Sequence, residues 1–128
     1  MISDGTKLIV GLGNPGLTYA ASRHNIGFRV LKSLASSLKI NFYRDSLVSS
    51  LVAKDKLFGL DVVLALPQTY MNLSGIAVKA LLKKFKVDLK DLLIVCDDLD
   101  LELGKMKIRP QGSSAGQRGL ESIIERLG

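Results

Sequence analysis

The sequence predicts an α/β domain built on a mixed sheet, and three observations carry that expectation. Short apolar runs that read as strands alternate along the chain with amphipathic helical stretches. One run, Leu92–Cys96 (LLIVC), is apolar throughout, as a strand covered on both faces must be. Two others, Leu47–Ala53 and Leu60–Leu66, are separated by a six-residue segment that opens with Lys54, Asp55 and Lys56. That is hairpin spacing, and it adds an antiparallel pair. At 128 residues the chain holds one core, so residues 1–128 are expected to form a single domain.

The elements follow in order. Lys7–Gly13 (KLIVGLG) is a buried strand closed by glycines, and Pro15-Gly16 extends its turn. Asn25–Lys39 is a helix with Phe28, Leu31, Leu34, Ala35 and Leu38 on one face, capped by Ser22 or Asn25. Pro67 ends the second hairpin strand. Leu73–Lys86 is a helix whose apolar stripe is Ile76, Ala77, Ala80, Leu81 and Leu82. Lys79, Lys83, Lys84 and Lys86 cover its remainder and suit the negative C-terminal end. Lys105–Arg109 alternates basic and apolar residues, which reads as a strand with one wet face. Gly112–Gly119 is a Gly/Ser loop, and Leu120–Leu127 opens a last helix. No repeat, low-complexity tract or dividing linker interrupts this order.

Composition excludes several classes. Apolar residues make up 47% and charged residues 23%, a globular balance rather than a disordered one. No apolar stretch approaches the roughly 20 residues a membrane helix needs, and the first apolar run is too short for a leader. One cysteine, Cys96, excludes an internal disulfide and fits a reducing compartment. One histidine and one cysteine also argue against a His/Cys zinc site. A cytoplasmic protein that does not engage membranes is the expectation.

The charge is uneven. Eighteen Lys+Arg against twelve Asp+Glu give +6 and a pI near 9.6. Between Gly5 and Arg44 no acid occurs, while Lys7, Arg23, Arg29, Lys32, Lys39 and Arg44 do. A solubility bias accounts for this; so does a nucleic-acid partner.

Gly11-Leu12-Gly13-Asn14-Pro15-Gly16 satisfies G-x-G-x-x-G after a strand, the dinucleotide fingerprint. Its context does not fit. Helical periodicity starts only near Asn25, Pro15 removes a donor, and no acid for a ribose hydroxyl occurs before Asp45. A tight turn explains the glycines equally well.

The polar residues at strand ends say more, because loops past the carboxyl ends of strands form the crevice of an open α/β sheet. Asn14 follows the first strand, His24 stands at the first helix, Asn72 follows Pro67, and Asp97 and Asp98 follow the buried strand. Singly, each has a plain reading. A histidine there caps, asparagines form turns, and Asp97, Asp98, Asp100 and Glu102 make a solvated acidic turn or a magnesium ligand group. Together they permit one chemistry. A neutral imidazole deprotonates water, a carboxylate behind its other nitrogen holds the tautomer, and amides hold an acyl group and its developing oxyanion. No G-x-S-x-G elbow supports a serine nucleophile, and Cys96 sits in an apolar strand that disfavours its thiolate.

Four motifs in order resemble the bacterial peptidyl-tRNA hydrolase family. They are Lys7–Gly16 (KLIVGLGNPG) with Tyr19, Ser22–Gly27 (SRHNIG), Pro67–Gly75 (PQTYMNLSG) and Asp97–Gly104 (DDLDLELG). The resemblance implies a mixed twisted sheet with helices on both faces, acting as a monomer without metal or other cofactor. It implies hydrolysis of the ester between a peptide and the 3′ ribose of tRNA, so that the partner is the acceptor end of peptidyl-tRNA. By motif, His24 matches the family's catalytic base and Asp97 the carboxylate that orients it. Asn14 and Asn72 match its substrate-positioning asparagines, and Tyr19 and Met71 match residues lining the site. Lys107 and Arg109 fall where the family holds tRNA phosphate, and their wet-faced alternation suits that role independently.

Two departures stand out. Gln111–Gly119 (QGSSAGQRG) replaces a Gly/His-rich loop, and Arg118 stands where a third site asparagine is usual. A guanidinium there loses an acceptor and gains charge, and it can grip phosphate or the 3′-terminal nucleotides, so Arg118 joins the substrate-binding set with either contact open. The family also usually continues with a further strand and C-terminal helix, which this chain is expected to lack. Two other readings remain open at this point. One is a non-catalytic RNA-binding relative, which needs no base; the other is a nucleotide-cofactor protein, which NAD would stabilise.

Overall fold

The computed structural model describes residues 5–13, 26–70, 73–96 and 99–102. The elements are β1 (Lys7–Gly11), α1 (Ile26–Leu38), β2 (Tyr43–Asp45), β3 (Ser50–Leu57), β4 (Leu60–Pro67), α2 (Ser74–Phe85), β5 (Leu92–Cys96) and β6 (Leu99–Glu102). They form a six-stranded sheet in the order β2-β3-β4-β1-β5-β6. β1 is parallel to both β4 and β5, and the other pairs are antiparallel.

Strand alternation explains why this sheet carries a helix on each side. Successive side chains point to opposite faces, so an apolar run covered on both faces feeds two cores. Leu8 and Val10 of β1, Val63 and Ala65 of β4, and Leu92 and Ile94 of β5 share one cluster with Val78 and Leu81 of α2. The intervening residues Leu64, Leu66 and Val95 face the opposite way and pack with Phe28, Leu31 and Ala35 of α1. This is the mixed α/β sheet with helices on both faces that the sequence predicts.

Both helices stop with a lysine where glycine is usual. Lys39 and Lys86 adopt left-handed φ values of 59° and 55°. After α1, the Ile40 amide donates to the Ala35 carbonyl at 3.0 Å and the Lys39 amide to Ser36 at 3.1 Å, satisfying carbonyls the helix leaves open. After α2, the Val87 amide reaches Leu82 at 2.9 Å.

The hairpin departs from its expected limits. Ser46–Val48 is a short 3-10 turn rather than strand, started by the Asp45 carboxylate accepting from the Leu47 amide at 3.1 Å. β3 therefore starts at Ser50 and runs through Lys54, Asp55 and Lys56, which are strand residues and not the turn. That end of β3 has a wet side, so charges fit there. The turn is Phe58-Gly59, both with positive φ (52° and 80°), between the paired residues Leu57 and Leu60. Two positive φ values in a two-residue loop match the twist of the flanking strands.

Two short strands escaped the sequence reading. β2 has three residues at the sheet edge, beside β3. β6 pairs with β5 where a solvated acidic turn was the plain reading; the Leu-Asp-Leu-Glu alternation is its period-two signal. The expected strand Lys105–Arg109, loop Gly112–Gly119 and helix Leu120–Leu127 lie outside the described residues, as do the proposed caps Ser22 and Asn25.

Candidate functional site

The three parallel strands β1, β4 and β5 bring their carboxyl ends to one edge of the sheet. Their register keeps those ends level: Val10 lies beside Ala65, and Gly11 beside Val95. The segments after them begin at Leu12, Gln68 and Asp97. The motifs Lys7–Gly16, Pro67–Gly75 and Asp97–Gly104 therefore each start from a strand that ends at this edge, which is where an open α/β sheet holds its ligand.

α1 starts at the same edge, and glycine is what lets it. A Cβ on Gly27 would stand 2.5 Å from the Leu12 carbonyl oxygen and 2.6 Å from its nitrogen, and against the Val95 carbonyl oxygen as well. A Cβ on Gly11 would stand 2.8 Å from the Gly27 carbonyl carbon. The first turn of α1 thus lies bare backbone to bare backbone on the ends of β1 and β5. The Leu12 amide ties those two ends together by donating to the Val95 carbonyl at 2.9 Å. Gly11, the first glycine of the fingerprint-like cluster, serves this close packing. That favours the turn-and-packing reading of the cluster over a pyrophosphate cradle.

α2 also starts at this edge. Its first turn is buried through Ser74 and Gly75, and neither helix has an acid in its first turn. Two helix N-termini at one edge, uncompensated by first-turn carboxylates, favour negative charge there. Thr69, in the segment between β4 and α2, has a buried Oγ1 with no hydrogen-bond partner among the described residues. Tyr70 beside it is 66% exposed, and Leu73 and Ile76 continue as exposed apolar residues. A hollow of about 660 Å³ lies along the outer side of α1, lined by Ile26, Arg29, Val30 and Ser33. Cys96, the last residue of β5, is buried.

His24, Asp97, Asn14, Tyr19, Met71, Asn72, Lys107, Arg109 and Arg118 lie outside the described residues. Their chain neighbours are described: Gly13 precedes Asn14, Cys96 precedes Asp97, and Tyr70 and Leu73 bracket Met71 and Asn72. Sequence reasoning missed Gly27 and Thr69 as parts of the edge. Gly27 had a signal, a glycine one residue into a helix pattern, where it weakens the helix unless packing requires it. Among the described residues no three His, Cys, Asp or Glu side chains gather, and no helix is long and apolar enough to cross a membrane.

Comparison with known proteins agrees with this arrangement. The sequence pattern described as peptidyl-tRNA hydrolase matches residues 8–128. A peptidyl-tRNA hydrolase of Desulforudis audaxviator (strain MP104C) is 55% identical over 122 residues, covering 95% of this chain and 62% of the relative. One of Methylacidiphilum infernorum (isolate V4) is 51% identical over 121 residues, covering 94% and 62%. The crystal structure of peptidyl-tRNA hydrolase from Acinetobacter baumannii superposes with a TM-score of 0.80 at 36% identity, over 100% of this chain and 65% of that one. The chain spans about three fifths of the length of the curated relatives it matches.

Proposed function

We propose a function from one premise: this chain belongs to the peptidyl-tRNA hydrolase family. The reaction is hydrolysis of the ester that joins a peptide to the 3′ ribose of tRNA. His24 takes a proton from a water molecule, whose oxygen forms a bond to the ester carbonyl carbon. Asp97 accepts from the other ring nitrogen, fixing the tautomer and stabilising the imidazolium. The carbonyl oxygen becomes an oxyanion, held by the amides of Asn14 and Asn72 and favoured by the helix N-termini. Collapse breaks the carbon–ribose oxygen bond, and the imidazolium gives its proton to the departing ribose oxygen, which leaves as the hydroxyl of the tRNA. The products are a peptide with a free carboxyl group and deacylated tRNA.

Tyr19 and Met71 line the acyl and 3′-terminal pocket. Lys107 and Arg109 hold phosphate, with Arg118 as a further cationic contact. The chain works in the cytoplasm as a monomer, with no metal or other cofactor.

The observation that carries this reading is the approach of Gly27 to the Val95 carbonyl. His24 precedes Gly27 by three residues, and Asp97 follows Val95 by two. Chain segments of two and three residues span at most roughly 7 and 11 Å, so tethers this short allow an imidazole and a carboxylate to meet at this edge. The test is turnover of a model peptidyl-tRNA by the chain and by His24→Ala. Turnover should vanish in the variant while tRNA binding persists. Hydrolysis that survives in His24→Ala would overturn the base assignment, and a parent that binds tRNA without turnover would leave the RNA-binding alternative.

A further inference from the structure

α2 runs away from the carboxyl edge, from Ser74 to Phe85, and its buried side is set by Ala77, Val78 and Leu81. Its solvent side carries Leu73, Ile76, Lys79, Lys83 and Lys86, three or four residues apart and all exposed. One face therefore changes from apolar near the site to cationic away from it, over roughly 20 Å at 1.5 Å per residue.

Neighbouring lysines are committed elsewhere. Lys84 pairs with the buried Asp45 carboxylate and stands 5.6 Å from the centre of the Phe85 ring. Lys54 stands 5.7 Å from that ring and 5.9 Å from that of Tyr43. Lys79, Lys83 and Lys86 form no ion pair among the described residues. Asp91, beyond the helix, is paired with Lys7, and Asp88, two residues after Lys86 in the sequence, is an exposed carboxylate.

Folding explains only part of this row. Lysines in the last turn gain from the negative end of the helix. Lys79 lies mid-helix, and like charges four residues apart oppose helix formation. A row of uncommitted cations leading from the site is what a polyanion extending out of that site would engage.

We propose that the exposed face of α2 is a docking track for the sugar–phosphate backbone of the substrate tRNA. Lys79, Lys83 and Lys86 take phosphates, and Leu73 and Ile76 lie at the end nearest the ester. This rests on the tRNA-substrate reading above.

The test is binding of deacylated tRNA across a salt series, together with kcat and KM on peptidyl-tRNA. The track variant is Lys79→Gln, Lys83→Gln and Lys86→Gln. A charge-matched control is Lys32→Gln, Lys39→Gln and Arg44→Gln. Lys32 is on α1 and Lys39 follows it; Arg44 lies on α1's side of the sheet, since its neighbour Asp45 points to α2. Glutamine and lysine have similar helix propensities, and the end-charge gain lost at Lys83 and Lys86 is offset in part by relief of the Lys79–Lys83 repulsion, so the thermal midpoint of the track variant should fall by no more than a few degrees. Each phosphate that the protein no longer neutralises takes about 0.7–0.9 off the slope of log K against log salt, so loss of three should make the track variant shallower by about two to three. KM should rise with kcat unchanged, and the control should keep the parent slope. An equal weakening in both variants, or an unaltered track variant of an active parent, overturns the track alone. A parent that neither binds nor hydrolyses removes the tRNA reading and the track with it.

Discussion

Replacing Gly27 by alanine tests the seating of α1 on the sheet edge. The new Cβ would lie 2.5 and 2.6 Å from the Leu12 carbonyl oxygen and nitrogen, where real Cβ atoms keep at least 3.0 Å. All the opposing atoms are backbone, so no flexible side-chain end can give way. The helix start must therefore move by at least about half an ångström. Overpacking of this kind costs ~1–3 kcal/mol, and backbone on several sides puts Gly27 at the upper end. Alanine returns up to about 1 kcal/mol in helix propensity, so the net loss should be ~2 kcal/mol. In a chain of this length that lowers the thermal midpoint by roughly 6–10 °C. His24, the base of the proposed mechanism, lies three residues before Gly27 in the sequence, and a 1 Å misplacement of a reacting group costs about 10²-fold, so kcat should drop by ~10-fold or more. Gly59→Ala is the contrast. Its φ of +80° strains alanine, but open space surrounds the position and it lies in the β3–β4 turn. It should lose stability and keep kcat. Thermal melts and single-turnover hydrolysis check both variants. A Gly27→Ala protein that melts within about 1 °C of the parent and turns over normally would mean that the edge admits a methyl group without cost, and that bare backbone packing does not fix the helix start.

Three further outcomes are expected. Phe58→Asn should raise stability by ~1 kcal/mol in a denaturant titration, because asparagine tolerates the left-handed φ that a fully exposed phenylalanine adopts there. Thr69→Val should raise the unfolding free energy by ~1 kcal/mol, because it removes a buried hydroxyl that has no partner among the described residues; an unchanged or lower value would mean that the hydroxyl is satisfied. The hydrogen bond from the Lys84 ammonium holds the Asp45 carboxyl below the usual carboxylate range, against the opposing push of burial. A depressed folded-state value contributes stability above the unfolded value of about 3.9 and loses it as pH falls through the folded value. Asp45→Asn should therefore be less stable than the parent at neutral pH, with the gap closing only below about pH 4. A gap that stays constant down to pH 2 would show that the charge on Asp45 contributes nothing.

Apolar periodicity determined most of the architecture. A run such as Leu92–Cys96 must be covered on both faces, and the period of Phe28, Leu31 and Ala35 can only be buried on a helix; both elements stand where that pattern puts them. The four motifs likewise placed the chain in its family, because their residues and their order along the chain are legible without the fold. Other features depended on contacts between residues far apart in sequence. Lys54, Asp55 and Lys56 look like a turn, yet pairing with Val63, Val62 and Asp61 holds them in a strand. Three-residue β2 has too little length to announce itself and exists through its pairing with β3. The need for glycine at positions 11 and 27 belongs to neither segment alone. It arises where β1, β5 and α1 press backbone against backbone, and no local pattern encodes a distance between elements that only the folded sheet brings together.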